Sequence, residues 1–501
     1  MLKNVGSNWF LMLVTAVTTY LLMPFNINKL GTENYGVWII ISSLTAYLFM
    51  LHLGTPMASV REMTQAIATK DHEKLNRVVA SCAALYVGAG LAVLVLGLPL
   101  LWFFETHYVV AADLKSEARL TFVLAVLQTG LAFLATMPYA IFSAYEHFIL
   151  KNWLMIGQLL IRAALNLVLV LWYPGFLSLS ILMLVMSVVE LLLCWGYVFK
   201  SYPEIRPKPH HATMQTVKDI FGFSLYVFLM VIGSQLAFQT SPLIVGYFMT
   251  NADVPSVAVP NALMLILTQF IGGIAAVIMP VATNLQSLDK SHELQAVFLR
   301  WSKVAVAVSI CACLFLIVFG PAFLKYWIGN AYATASGDVL QILAVSYLIF
   351  LPARGVAMPI LMGLGNAKWP TIATLISGVL NLVLSVWWAN TYGLLGVAWG
   401  MAIPNIVLAV ALTFLACREL KIPLRTYVAQ TVPLALIGGI SLYLLLALVS
   451  ELWHPTSFFG LGFAGILTVG LCGLMWTEMV LRNDAHLRLP RVSDLLRGRF
   501  A

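Results

Sequence analysis

The chain has 501 residues, 61% of them hydrophobic and 10% charged, with a mean hydropathy of +0.93. A soluble protein carries about 25% charged residues, and no water-facing fold hides this much apolar surface, so the solvent is lipid. The formal charge of +8 is spread over short segments between apolar runs, which argues against a nucleic-acid partner.

In chain order, fourteen apolar runs are long enough to cross a bilayer, which takes about 20 residues. The first six are 8–28, 36–60, 79–104, 119–145, 153–173 and 177–199. Six more follow at 221–249, 256–282, 303–323, 339–363, 371–389 and 394–416, then two at 428–450 and 458–481. Their lengths fit helices, which satisfy their own backbone in lipid. The first run is too long for a signal sequence and lacks a small-residue cleavage site, so it is expected to remain as a span. Cys82, Cys194, Cys311, Cys313, Cys417 and Cys472 all lie in apolar runs and read as small hydrophobes.

Between the spans, residues 61–79 fit either of two descriptions. One is an amphipathic surface helix with Ile67, Leu75 and Val78 in lipid and Lys70, Lys74 and Arg77 at headgroups; the other is a solvated loop. Residues 201–209, proline-broken and basic, read as a linker. Alternating the spans from a cytoplasmic N-terminus places 22 of the 28 Lys and Arg residues inside. Only Lys29, Lys115, Arg119 and Lys325 fall outside. That asymmetry predicts fourteen crossings with both termini cytoplasmic.

The chain also echoes itself. Leu165-Asn166-Leu167-Val168-Leu169 returns as Leu380-Asn381-Leu382-Val383-Leu384. Lys70-Asp71-His72-Glu73 returns as Lys290-Ser291-His292-Glu293, and Lys151-Asn152-Trp153 as Lys368-Trp369. Three echoes in one order at nearly one spacing indicate a duplication. The expected fold is an all-α polytopic membrane protein with two six-helix lobes, 1–200 and 221–417, related by a pseudo-twofold axis. A linker at 201–220 joins them, two further helices occupy 418–481, and a basic cytoplasmic tail fills 482–501. Parallel repeats of this kind place a substrate path between the lobes and work by alternating access.

Leu30-Gly31-Thr32-Glu33-Asn34-Tyr35-Gly36-Val37-Trp38, then Leu53-Gly54 and Arg61-Glu62, resembles the opening of the Wzx-type polysaccharide flippases. That family belongs to a group with the MATE extruders and the lipid II flippase MurJ. The resemblance implies translocation of a polyprenyl-pyrophosphate-linked oligosaccharide from inner to outer leaflet of a bacterial inner membrane. It implies membrane lipids as surroundings, and a polysaccharide polymerase with its chain-length machinery as candidate protein partners. Two alternatives stay open: an ion-coupled multidrug or metabolite extruder of the same fold, and a membrane polysaccharide polymerase or ligase.

Charged and polar residues inside the spans are the candidate site, because each is costly in lipid. Arg162 and Glu190 lie at matching depth on spans five and six. They are either a structural ion pair, or a phosphate-binding arginine beside a carboxylate that tunes it or exchanges a proton. Arg354 stands within Leu351-Pro352-Ala353-Arg354-Gly355-Val356-Ala357-Met358-Pro359. Pro352, Gly355 and Pro359 predict a helix break, and Arg354 either caps the freed carbonyls or contacts substrate phosphate. His52 is a structural or a titrating histidine. Gln128, Gln235 and Gln239 are candidate donors to sugar hydroxyls, or hold helices together. No nucleotide loop, hydrolase motif or metal cluster is present in the sequence, so no enzyme activity and no cofactor are expected.

Overall fold

The computed structural model describes residues 2–52, 55–208, 211–453, 455 and 457–476. Among these the chain is helical and without strands. The elements are α1 (Leu2–Leu30), α2 (Thr32–Leu48), α3 (Thr55–Ala68), α4 (His72–His107), α5 (Lys115–Ala144), α6 (Phe148–Trp172), α7 (Phe176–Ser201) and α8 (Met214–Phe238). They continue as α9 (Thr240–Phe248), α10 (Val254–Ser287), α11 (Ser291–Trp327), α12 (Ala335–Pro352), α13 (Met358–Gly363), α14 (Lys368–Glu419), α15 (Leu424–Leu452) and α16 (Phe458–Trp476).

Thirteen helical stretches are long and apolar enough to cross a membrane. The longest, α14, bends at Gly393, whose φ of 59° and ψ of −136° are not helical. It therefore supplies two spans, making fourteen among the described residues. The end of the last expected span, 477–481, and the basic tail at 482–501 lie outside the described residues.

The second span ends earlier than its apolar run suggests. α2 tightens into a 3-10 turn at Phe49–His52, and a separate helix starts at Thr55. Pro56 in the first turn of α3 needs no N–H partner there, and so favours a new helix start. The Thr55 hydroxyl donates back to the His52 carbonyl at 2.6 Å. Residues 61–79 are consequently not one surface helix. α3 stops at Ala68, Lys70 takes a left-handed φ of 54°, and the Asp71 carboxylate accepts from the Lys74 N–H at 2.7 Å to start α4. Leu75 and Val78, which a surface helix would have turned to lipid, are each 2% exposed and pack inside the protein.

The duplication is legible in the turns. Helices end in left-handed residues at Lys70, Glu146, Asp289, Gly365 and Lys421. At each, the left-handed N–H bonds three residues back and the next N–H five residues back, as with Lys70 to Ile67 and Asp71 to Ala66. Lys70 and Asp289 are 219 positions apart, and so are Glu146 and Gly365. α4 and α11 also start 219 apart. The repeat register is thus one residue away from the Lys70/Lys290 echo.

Packing divides the chain into two compact units. The first comprises Met1–Ala258 with Thr374–Gly393, and the second Val259–Ala373 with Leu394–Ala501. The divisions fall inside α10 and α14 rather than in the linker. The linker is tied to the first unit: Asn76 Nδ2 donates to the Glu204 carbonyl at 2.8 Å and the Arg206 N–H to Asn76 Oδ1 at 2.6 Å. Tyr145 donates to Glu204 Oε1 at 2.6 Å. Burial first, then the Glu204 carboxylate, push the Tyr145 phenol up, so it stays a donor.

In the first unit α5 packs between α4 and α7, with Phe104, Phe122, Phe133 and Phe142 at most 2% exposed. α2 approaches the backbone at Asn251 so closely that a Cβ on Gly36 would lie 1.8 Å from the Asn251 carbonyl oxygen. In the second unit α11 packs on α12, α15 and α16, burying Ile310, Leu314, Leu442, Leu446 and Leu461. With lipid outside, close packing rather than water exclusion holds these helices together.

A polar cavity in the first unit and an apolar cavity in the second

In α6, Lys151, Met155, Gln158, Leu159 and Arg162 recur at helical spacing and share one face. That face meets Gln128 and Tyr139 of α5, Ser187 and Glu190 of α7, and Thr15 of α1 around a cavity of about 500 Å³. A second cavity of about 300 Å³ adjoins it and shares Phe49, Gln128, Ala132 and Met183. Its other polar lining comes from Ser42, Thr45, Thr129, Ser180 and Gln235.

Glu190 and Arg162 share the larger cavity but are not paired. Glu190 accepts from the Tyr139 hydroxyl at 2.5 Å and from the Gln158 amide. Among the described residues no carboxylate lies within 4.0 Å of the Arg162 guanidinium, and no protein acceptor takes its hydrogens. Lys151 reaches only the Ser143 hydroxyl, at 3.1 Å. A half-buried guanidinium with vacant donors is suited to a bidentate anion, and the Lys151 ammonium lines the same cavity three helical turns away.

Two of the three glutamine candidates lie on the cavity walls. Gln128 donates to Ser187 Oγ at 3.3 Å and Gln235 to the Ala46 carbonyl at 3.0 Å, each with its amide nitrogen. Gln239 sits at the junction of α8 and α9, its N–H bonded to the Gln235 carbonyl, and lines neither cavity. His52 lies edge-on to Phe49 at 5.3 Å between ring centroids, behind the cavity wall.

Arg354 belongs to the second unit, where Pro352, Gly355 and Pro359 do not break the helix. Residues Ala353–Ala357 form one π turn between α12 and α13, and the Met358 N–H bonds the Ala353 carbonyl five residues back. The extra residue of a π turn accommodates the proline's missing donor without opening the backbone. Gly355 is needed there, since a Cβ would meet Ile271 Cγ2 at 2.3 Å. The Arg354 guanidinium is set against Met358 Sδ, so the expected freed carbonyls are not its partners.

The second unit has its own cavity, of about 1100 Å³. α11, α12, the 394–419 limb of α14 and α15 line it with residues such as Ile310, Leu348, Ile406, Val410 and Leu436. No charged side chain lines it. No cluster of metal-ligating side chains occurs among the described residues.

Residues 1–286 match the family described as "Polysaccharide biosynthesis protein". The chain belongs to this family. It is 23% identical over 414 residues to the "Putative O-antigen transporter" of Shigella flexneri, covering 80% of this chain and 95% of that one. It is 23% identical over 394 residues to the "Uncharacterized membrane protein EpsK" of Bacillus subtilis, covering 76% of each. Among solved structures, the lipid II flippase MurJ in an inward closed conformation superposes with a TM-score of 0.71 at 14% identity. That match covers 95% of this chain and 99% of that one. An inward-facing MATE multidrug resistance transporter gives 0.67 at 16%, covering 81% and 98%. The fold of this polysaccharide biosynthesis protein is therefore the one shared by MurJ and the MATE transporters, and it is a multi-pass membrane protein.

Sequence reasoning missed Tyr139, Lys151 and Trp38 as cavity residues. For Lys151 the signal was available in the α6 stripe that carries Gln158 and Arg162. For Tyr139 and Trp38 it was not, because aromatic residues near span ends have a sufficient interfacial explanation.

Proposed function

We propose that this protein is a flippase that moves a polyprenyl-pyrophosphate-linked oligosaccharide from the inner to the outer leaflet of a bacterial inner membrane. The observation that carries the reading is Arg162, whose donors face a cavity and have no protein acceptor among the described residues. Phosphate oxygens satisfy a guanidinium bidentately, and Lys151 adds a second positive charge. Glu190, held by Tyr139 and Gln158, keeps the cavity from binding anions so tightly that release fails, and is the carboxylate through which ion coupling would enter. Taken by itself, the 1100 Å³ cavity of the second unit is suited to an apolar chain. Family membership and the MurJ-like fold support translocation rather than catalysis. Both termini lie in the cytoplasm in this reading, and no cofactor takes part.

The test is transport of a labelled polyprenyl-pyrophosphate-linked saccharide across proteoliposomes. Arg162→Gln is expected to lower it about ten- to hundredfold, the size of one or two charge-assisted hydrogen bonds. Unchanged transport by that variant overturns the assignment of Arg162. Transport of lipophilic cations with none of the lipid-linked saccharide replaces the flippase by an extruder.

A further inference from the structure

We infer that the smaller cavity of the first unit, about 300 Å³ beside the Arg162 cavity, is a neutral saccharide subsite built on Trp38. The inference rests on the flippase reading and names which part of the ligand lies where.

Six of the twelve lining residues are polar and none is charged, so the cavity suits neither an anion nor a cation. Its polar groups are mostly acceptors. Thr45 donates to the Ile41 carbonyl at 3.0 Å, Thr129 to Ala125 at 2.8 Å and Ser180 to Leu177 at 3.1 Å. Each hydroxyl hydrogen is thereby spent on its own helix, leaving oxygen lone pairs free. Gln128 and Gln235 donate through nitrogen to protein, which leaves both amide oxygens as acceptors. The Trp38 indole N–H and the Ser42 hydroxyl have no partner among the described residues. Several acceptors, the Trp38 and Ser42 donors and the second amide hydrogens of Gln128 and Gln235 around an aromatic ring match a pyranose. Its hydroxyls supply hydrogens in many directions, and its C–H face stacks on indole. An all-apolar guest would leave the Trp38 N–H and the Ser42 hydroxyl without partners.

The position adds to the chemistry. Phe49, Gln128, Ala132 and Met183 line both cavities, so a group here can be covalently continuous with one at Arg162. In a glycosyl pyrophosphate the first sugar is bonded directly to the phosphate, the same adjacency. Trp38 closes the Leu30–Trp38 motif: Gly31 turns the chain at φ 81° and Gly36 lets α2 seat against Asn251. Both place the ring at the cavity wall.

The experiment is saturation-transfer NMR on the purified full chain in nanodiscs, with N-acetylglucosamine and glucose as probes and tetraethylammonium as a cation control. Pyrophosphate affinity is measured on the same samples by calorimetry. Wild type is expected to transfer saturation to at least one sugar and none to the cation. A Trp38→Leu/Ser42→Ala double variant is expected to lose at least three-quarters of the sugar signal while binding pyrophosphate as wild type does. Trp38→Phe, which keeps a stacking face without the N–H, is expected to retain about half. No sugar signal in wild type with intact pyrophosphate binding overturns the subsite and leaves the Arg162 reading standing. Absence of pyrophosphate binding in wild type overturns that reading instead. A sugar signal unmoved by either variant, or a cation signal that the double variant abolishes, also overturns the subsite.

Discussion

α5 and α7 of the first unit and α12 with the 394–419 limb of the second occupy corresponding places in the duplicated chain. Each pair walls a cavity, and the walls differ in kind. α5 and α7 present Gln128, Tyr139, Ser187 and Glu190; α12 and the limb present Leu348, Pro352, Ile406 and Val410. In the 219-residue register Ser187 corresponds to Ile406 and Glu190 to Ala409, so at these two wall positions one copy is polar and the other apolar. Tyr139 and Gln158 donate to the Glu190 carboxylate, whereas the second cavity is lined by no carboxylate and no glutamine.

That contrast can be broken by placing the first unit's charge in the second. Val410→Glu puts a carboxylate among apolar walls and is expected to cost about 2.5–3.5 kcal/mol, read as a lowered unfolding midpoint in lipid. A variant as stable as wild type would mean the cavity is wet and polar in practice. The next effect runs inside the first unit. Tyr139→Phe removes one donor from Glu190, freeing the carboxylate to turn toward Arg162. Pyrophosphate affinity is expected to fall about tenfold, since one hydrogen bond to a charged group is worth about 1.5–3 kcal/mol. Unchanged affinity would show that Glu190 does not compete for Arg162.

Filling the apolar cavity separates head from tail. Ala435→Trp is expected to weaken polyprenyl-phosphate binding at least about fivefold, the effect of displacing just over one methylene at about 0.8 kcal/mol each, without altering inorganic pyrophosphate binding. Equal weakening for both ligands would merge the two functions into one site. The smallest effect compares the copies where they should be alike. Asp71 caps α4 through its side chain, whereas Lys290, its counterpart before α11, makes no such bond. Asp71→Ala is expected to cost about 1 kcal/mol and Lys290→Asp to add a few tenths, measured as opposite shifts in thermal midpoint.

Much of the architecture was legible in the sequence. Span length, the clustering of basic residues in alternate connecting segments and the echoes around Asn166 and Asn381 report fourteen helices and a duplication, because each depends on composition or local spacing. The two-part α14 was legible too, since Gly393 sits between two apolar runs. What the residues could not report was partnership. Arg162 and Glu190 at equal depth read either as an ion pair or as a cavity arginine beside a carboxylate, and the helix faces bring Tyr139 and Gln158 to the carboxylate. Arg354 beside two prolines suggested an open backbone, but a π turn accommodates them within the helix. Chain position likewise put residues 221–258 with the second half, whereas packing puts them with the first unit. Side-chain direction and long-range packing decide all three, and neither is encoded in local pattern.

The most direct measurement is calorimetric titration of inorganic pyrophosphate into the purified full chain, comparing wild type with Arg162→Gln and with Val410→Glu assayed below its unfolding midpoint. The account predicts binding to wild type, at least about a tenfold loss for Arg162→Gln, and no change for the folded Val410→Glu. Equal affinity in wild type and Arg162→Gln would contradict it.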